Sequence, residues 1–140
     1  MRSPILLDTG PLVAFLDRRD AFHEWAKSQF AETEPPAITC EAVLSEACFL
    51  LRRQPGAIAA LLEMLRREAV VIGFRFEDEL EPVSTLLRRF ADVPMSLADA
   101  CLVRMTELRT GAAVLTLDAD FRIYRRHGRL IVPVIMPEVR

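Results

Sequence analysis

Four acidic side chains, Asp8, Glu46, Asp99 and Asp118, stand at positions where a carboxylate could do chemistry. Asp8 and Asp118 each close a short apolar run, residues 5–7 and 113–117. Glu46 lies three positions after Val43 and four before Leu50, on the stripe of a helix that reads as buried. A carboxylate there is costly unless something satisfies it. Asp99 follows Ser96 by three, the spacing of a capping box, although Asp is shorter than the usual Glu or Gln. Each acid alone has a plain structural reading: a helix N-cap for Asp8, the capping box for Asp99, an Asx turn for Asp118, a boundary residue for Glu46. Meeting at one place with no lysine beside them, four carboxylates would raise one another's pKa. A divalent cation resolves that conflict, and oxygen-only ligands without His or Cys select Mg²⁺ or Mn²⁺ over zinc. The chemistry to expect is metal-assisted hydrolysis of a phosphodiester. Arginines and the amides after Asp8 are placed to hold a phosphate backbone.

The surrounding elements must bring those acids together. The run from Pro4 to Asp17 reads strand, acid, tight turn, helix: Thr9-Gly10 makes the turn, and Pro11 suits a first helical turn. Leu12, Phe15 and Leu16 share one face of that helix. Further helices are predicted over 21–31, 41–53, 57–67, 76–90 and from 97 to Leu108, with a short one over 121–126. Strands are predicted over 37–40, 69–73 (on the edge side), 113–117 and 130–132. This alternation argues a three-layer α/β/α sandwich with a mainly parallel sheet. Right-handed crossovers then bring every strand end to the same edge, with Asp8 and Asp118 on it. Ligands bind at that edge in open α/β sheets.

At 140 residues the chain reads as one domain spanning 1–140. No uncharged apolar run is long enough to span a membrane. The 51% hydrophobic fraction is rich, which suits an oligomer interface or a groove for a partner segment. No basic-then-apolar leader opens the chain. Cys40, Cys48 and Cys101 are odd in number and lack Cys-x-x-Cys spacing, as in a reducing compartment, so a cytoplasmic location is expected. A formal charge of −2 gives no global attraction to nucleic acid. The basic residues are nearly all arginine, Lys27 being the exception, and they cluster at 18–19, 52–53, 66–67, 88–89 and 122–129. Most of these pairs read as helix-end charges; the last cluster stands out beside the final acidic loop. His23-Glu24 is not a zinc motif, because position 27 is lysine. His23 reads as a surface residue, and the early acids Glu77, Asp78, Glu79 and Glu81 as structural.

The segments 7–17, 44–47, 97–100 and 115–121 together resemble the four acidic motifs of PIN-domain ribonucleases, in particular the VapC-type toxins of bacterial toxin–antitoxin pairs. The resemblance covers essentially the whole chain. It implies an endoribonuclease dependent on Mg²⁺ or Mn²⁺, a parallel five-stranded sheet, a homodimer, and a small antitoxin whose tail covers the site. It places Asp8, Glu46, Asp99 and Asp118 as the metal-binding quartet, with Thr9, Thr116 and Asp120 at accessory positions. A phosphatase of the haloacid-dehalogenase type would need a second Asp where Gly10 stands. A response-regulator receiver would need a late lysine that is absent. A non-catalytic RNA- or protein-binding module, its acids merely capping helices, is the remaining alternative.

Overall fold

The computed structural model describes residues 4–138. Its main sheet has five parallel strands in the order β3-β2-β1-β4-β7: β1 (Ile5–Leu7), β2 (Ala37–Thr39), β3 (Val70–Ile72), β4 (Ala113–Leu115) and β7 (Val134–Ile135). The central β1 pairs Ile5, Leu6 and Leu7 with Ala113, Val114 and Leu115, and Leu6 with Ile38. Its three residues are all apolar and all buried, as a strand covered on both faces requires.

Among the described residues six helices flank the sheet: α1 (Thr9–Leu16), α2 (His23–Glu32), α3 (Glu41–Leu50), α4 (Ala57–Arg66), α5 (Leu80–Arg89) and α6 (Leu97–Leu108). One group is built on α1, which packs against α2, α3 and α4. The other is built on α6, which lies against β1 and β4 and carries α5. This is the predicted α/β/α sandwich. Burying Leu6, Leu7, Leu12, Leu102 and Leu115, all 1% exposed or less, removes the apolar surface that holds the layers together. Each such side chain contributes about 1.5–3 kcal/mol.

Several local expectations change. Residues 76–90 divide into a 3-10 turn, Phe76–Glu79, and α5. The early acids there are structural as expected: Glu77 and Asp78 pair with Arg75, and Glu79 with Arg104. Phe22, inside the helix expected over 21–31, is exposed and precedes α2. His23 is mostly buried, its Nδ1–H donating to the Ala14 carbonyl at 2.7 Å. The helix expected over 121–126 is instead a 3-10 turn, Ala119–Arg122, followed by β5 (Arg125–Arg126). β5 forms an antiparallel hairpin with β6 (Leu130–Ile131), turning where His127 and Gly128 both take positive φ. The run 130–132 is therefore not the last strand of the main sheet. Leu130 and Ile131 stay exposed, and the chain joins the sheet beyond Pro133, where Val134 and Ile135 pair with Val114 and Leu115. Proline has no amide to donate, but its carbonyl accepts from Val114 N at 2.9 Å, so Pro133 begins the edge strand's pairing.

Candidate active site

The parallel sheet delivers the ends of β1, β2 and β4 to one edge, and helices α1 and α3 start there. Asp8 is the residue between β1 and α1. It is the N-cap of α1, and its Oδ1 accepts from Thr9 N at 2.8 Å. Its Oδ2 accepts from the Thr116 hydroxyl at 2.6 Å, across from the end of β4. The same Thr116 oxygen accepts from Asp118 N at 2.9 Å. One buried threonine thus ties the first acid to the backbone of the last. Thr39, at the end of β2, donates to the Leu7 carbonyl at 2.8 Å and fixes the strand end before Asp8. Gly10 completes the junction: a Cβ there would meet Leu117 Cβ and Cδ1 at 3.2 Å, tighter than ordinary contact, so a larger residue would push the Leu117 side chain back by a few tenths of an ångström.

Asp99 lies in the first turn of α6. Both readings of it hold at once: the capping box with Ser96 is formed, and the carboxylate lines the acidic cleft. Ser96 Oγ accepts from Asp99 N at 3.0 Å, while Asp99 Oδ2 accepts from Ser96 N at a long 3.4 Å and from the Tyr124 hydroxyl at 2.7 Å. Tyr124, which sequence reasoning missed, is fully buried, edge-on to Phe90 and Phe121 at centroid distances of 5.3 and 5.2 Å. It sits just before the pair Arg125-Arg126, so its only sequence signal is an aromatic three residues after Phe121 and four after Asp120.

Glu46 corrects one part of the sequence argument. Val43, Ala47 and Leu51 are the buried stripe of α3, whereas Glu46 and Leu50 are exposed. Its carboxylate is not trapped in the core. It reaches the cleft from the side, Oε2 accepting from the Thr9 hydroxyl at 3.4 Å. Asp118 lies three residues beyond the end of β4 and forms an Asx turn, Oδ1 accepting from Asp120 N at 2.9 Å. Asp120 lies in that 3-10 turn, close enough to Tyr124 to oppose ionisation of its hydroxyl.

Asp8, Thr9, Glu46, Asp99 and Asp118 thus line one cleft of about 390 Å³, with Gly10, Leu50, Leu117 and Ala119. Among the described residues no arginine or lysine is part of its walls. The electrostatic consequence is plain. Burial, with further repulsion from Asp99 and Asp118, pushes the Asp8 carboxyl up from 3.8 to about 6, against the opposing hydrogen bonds from Thr116 and Thr9. Asp99 is raised too, again chiefly by burial, with Asp118 adding to it. Among the described residues no three Asp, Glu, His or Cys side chains are drawn close enough together to hold a metal ion as they stand. The donor set, all oxygen around an open cleft without a cationic side chain, fits a hard dication that keeps part of its water shell. A larger groove of about 600 Å³, lined mainly by apolar residues such as Phe74, Phe76 and Leu97, lies apart from Asp8 and Asp118.

The PIN domain model matches residues 5–126, and the chain belongs to the PIN-domain family. Its fold is similar to that of Mycobacterium tuberculosis VapC20, a sarcin-ricin loop cleaving toxin, with a TM-score of 0.73 and 27% identity. The likeness covers 83% of this chain and 91% of that one. No match is found among curated protein sequences. No helix of the described residues is long and apolar enough to cross a membrane.

Proposed function

We propose that this protein is an endoribonuclease that hydrolyses RNA phosphodiester bonds with Mg²⁺ or Mn²⁺, and that it is the toxin of a type II toxin–antitoxin pair. The observation that carries the reading is the acidic cleft: burial, with Asp99 and Asp118 adding to it, opposes ionisation of Asp8, burial with Asp118 opposes that of Asp99, and no arginine or lysine among the described residues lines the cleft. Membership of the PIN family and the likeness to a ribonuclease toxin support it.

In this reading Asp8, Glu46, Asp99 and Asp118 hold the dication. Bound there, it would lower the pKa of a coordinated water and stabilise charge on a phosphoryl oxygen. The chain's own residues prepare the geometry. Thr9 N and the Thr116 hydroxyl fix both oxygens of Asp8, and Tyr124 holds Asp99 by Oδ2. No hydrogen bond to Asp99 Oδ1 is present among the described residues, which leaves that oxygen for a ligand. In the reaction, a water oxygen bonds to phosphorus, the P–O ester bond opposite breaks, and the departing oxygen takes up a proton. The Thr9 hydroxyl donates to Glu46 Oε2, and Asp120 N donates to Asp118 Oδ1, so both support acids of the cleft.

The helix-capping bonds of Asp8 and Asp99 are also what a non-catalytic module would show. Incubation of the purified protein with a long single-stranded RNA separates the two. Cleavage with Mn²⁺ or Mg²⁺ that stops in EDTA is expected; intact RNA under both conditions would leave only the binding module. A homodimer and a small acidic-cleft-covering antitoxin complete the proposal, checked by sedimentation and by a short reading frame beside the gene.

A further inference from the structure

One surface next to the cleft combines features that the site itself does not use. Glu46 is followed one helical turn on by Phe49 and Leu50, so the three share the outer side of α3. Leu50 is a wall of the acidic cleft, and Phe49, 61% exposed, lies about 4.5 Å further along the helix axis than Glu46. Arg52 folds back over the Phe49 ring, its Cζ 4.0 Å from the centroid, held there because Nη1 donates to the Phe49 carbonyl at 2.7 Å. The guanidinium and ring form a fixed, solvent-facing stack.

Charge gathers at the same end. α1 and α3 pack together, and the turns that follow them are linked where Arg19 Nη2 donates to Gln54 Oε1 at 3.4 Å. Arg18, Arg19, Arg52 and Arg53 are all exposed there. Arg66, Arg75 and Arg104 pair with carboxylates, but none of these four has one within ion-pair distance among the described residues. The nearby Asp17 and Asp20 accept from backbone amides of Arg19 and Phe22 instead. An apolar cleft wall, an aromatic stacked on arginine and unpaired guanidinium groups, in that order, are what an unpaired nucleic-acid strand needs: π-faces for bases and charge for phosphates.

We propose that a single-stranded stretch of the RNA substrate leaves the acidic cleft over Leu50, stacks a base on the Phe49–Arg52 pair, and lays its phosphates along Arg18, Arg19 and Arg53. The substrate class is therefore RNA that is unpaired beside the cleavage point. This rests on the nuclease reading for its substrate, but the arginine–aromatic surface lies outside the acids.

The test titrates a fluorescein-labelled single-stranded RNA into the full chain in EDTA, following anisotropy over a series of salt concentrations. Phe49→Ala is expected to weaken binding about tenfold, and Phe49→Trp to restore it. Arg18→Gln combined with Arg53→Gln should lower the salt slope by about 1.4. Phe49→Ala should leave the affinity for a fully paired duplex unchanged. Wild-type affinity in Phe49→Ala together with an unchanged salt slope overturns the proposal. So does a Phe49→Ala change seen only as loss of a dimer in sedimentation, which would assign this face to a second copy. If wild type cleaves RNA with Mn²⁺ while these variants bind normally, the track is wrong and the nuclease reading stands. If wild type neither binds nor cleaves RNA, both fall.

Discussion

Replacing Asp8 with Asn separates a capping role from a metal-binding role by sign. In the metal-free protein Asp8 is 6% exposed, and its carboxyl is pushed up from 3.8 to about 6, mainly by burial. An acid whose pKa rises on folding binds more protons folded than unfolded, so stability falls as pH increases. The penalty is absent below 3.8, grows between that value and about 6, and is complete above it. At pH 8 it amounts to about 3 kcal/mol. Asn removes the charge and keeps an oxygen to accept from Thr9 N, since Asn caps as well as Asp. It disturbs the 2.6 Å bond from Thr116, at a cost of about 1 kcal/mol. The net expectation is that metal-free Asp8→Asn is more stable than wild type at pH 8 by about 2 kcal/mol, or about 6 °C in melting temperature. At pH 4 the advantage should vanish. With Mn²⁺ added, wild type should gain stability and Asp8→Asn should not. Thermal melts with and without Mn²⁺ at the two pH values measure all of this. A variant less stable than wild type at pH 8, with the Mn²⁺ shift intact, would refute the reasoning and return Asp8 to a cap.

Two other substitutions probe the cleft's supports. Tyr124→Phe keeps the ring packed on Phe90 and Phe121 and deletes the 2.7 Å bond to Asp99. It should cost about 1–2 kcal/mol in denaturant unfolding and lower kcat more than it raises KM. Glu46→Gln, on an exposed carboxylate, should shift stability by less than about 0.5 kcal/mol while abolishing cleavage, read from melts and RNA gels on the same sample.

The parts legible in the sequence were those in which local pattern and burial agree. The run Ile5–Leu7 ending at Asp8 is a strand with an acid at its end, because three apolar residues before a polar turn have few other uses. Ser96 and Asp99 announced a helix start, and the start was real. Glu46 was singled out on a mistaken premise: helical spacing placed it on the buried stripe, but one residue is about 100° of turn, and Ala47 took the core position instead. The end of the chain was misread because Leu130, Ile131 and Val132 look like a buried strand while register is a tertiary property. Only Val132 is buried, and Pro133, which reads as a stop, opens the pairing with β4. Tyr124 was invisible because its value lies in a contact with a residue 25 positions earlier. Thr116 and Asp120 are placed as accessory positions by resemblance alone; the link from Asp8 through Thr116 to Asp118 N is visible only in the fold.

Diffraction from crystals grown with Mn²⁺, recorded near the manganese edge, would locate the ion without reference to activity. The account expects an anomalous peak in the cleft, within about 2.0–2.6 Å of carboxylate oxygens from Asp8 and at least one of Asp99, Asp118 and Glu46, with waters filling the remaining positions. A well-occupied peak elsewhere, with the four carboxylates keeping only their hydrogen bonds to Thr9, Thr116, Tyr124 and Asp120, would contradict it.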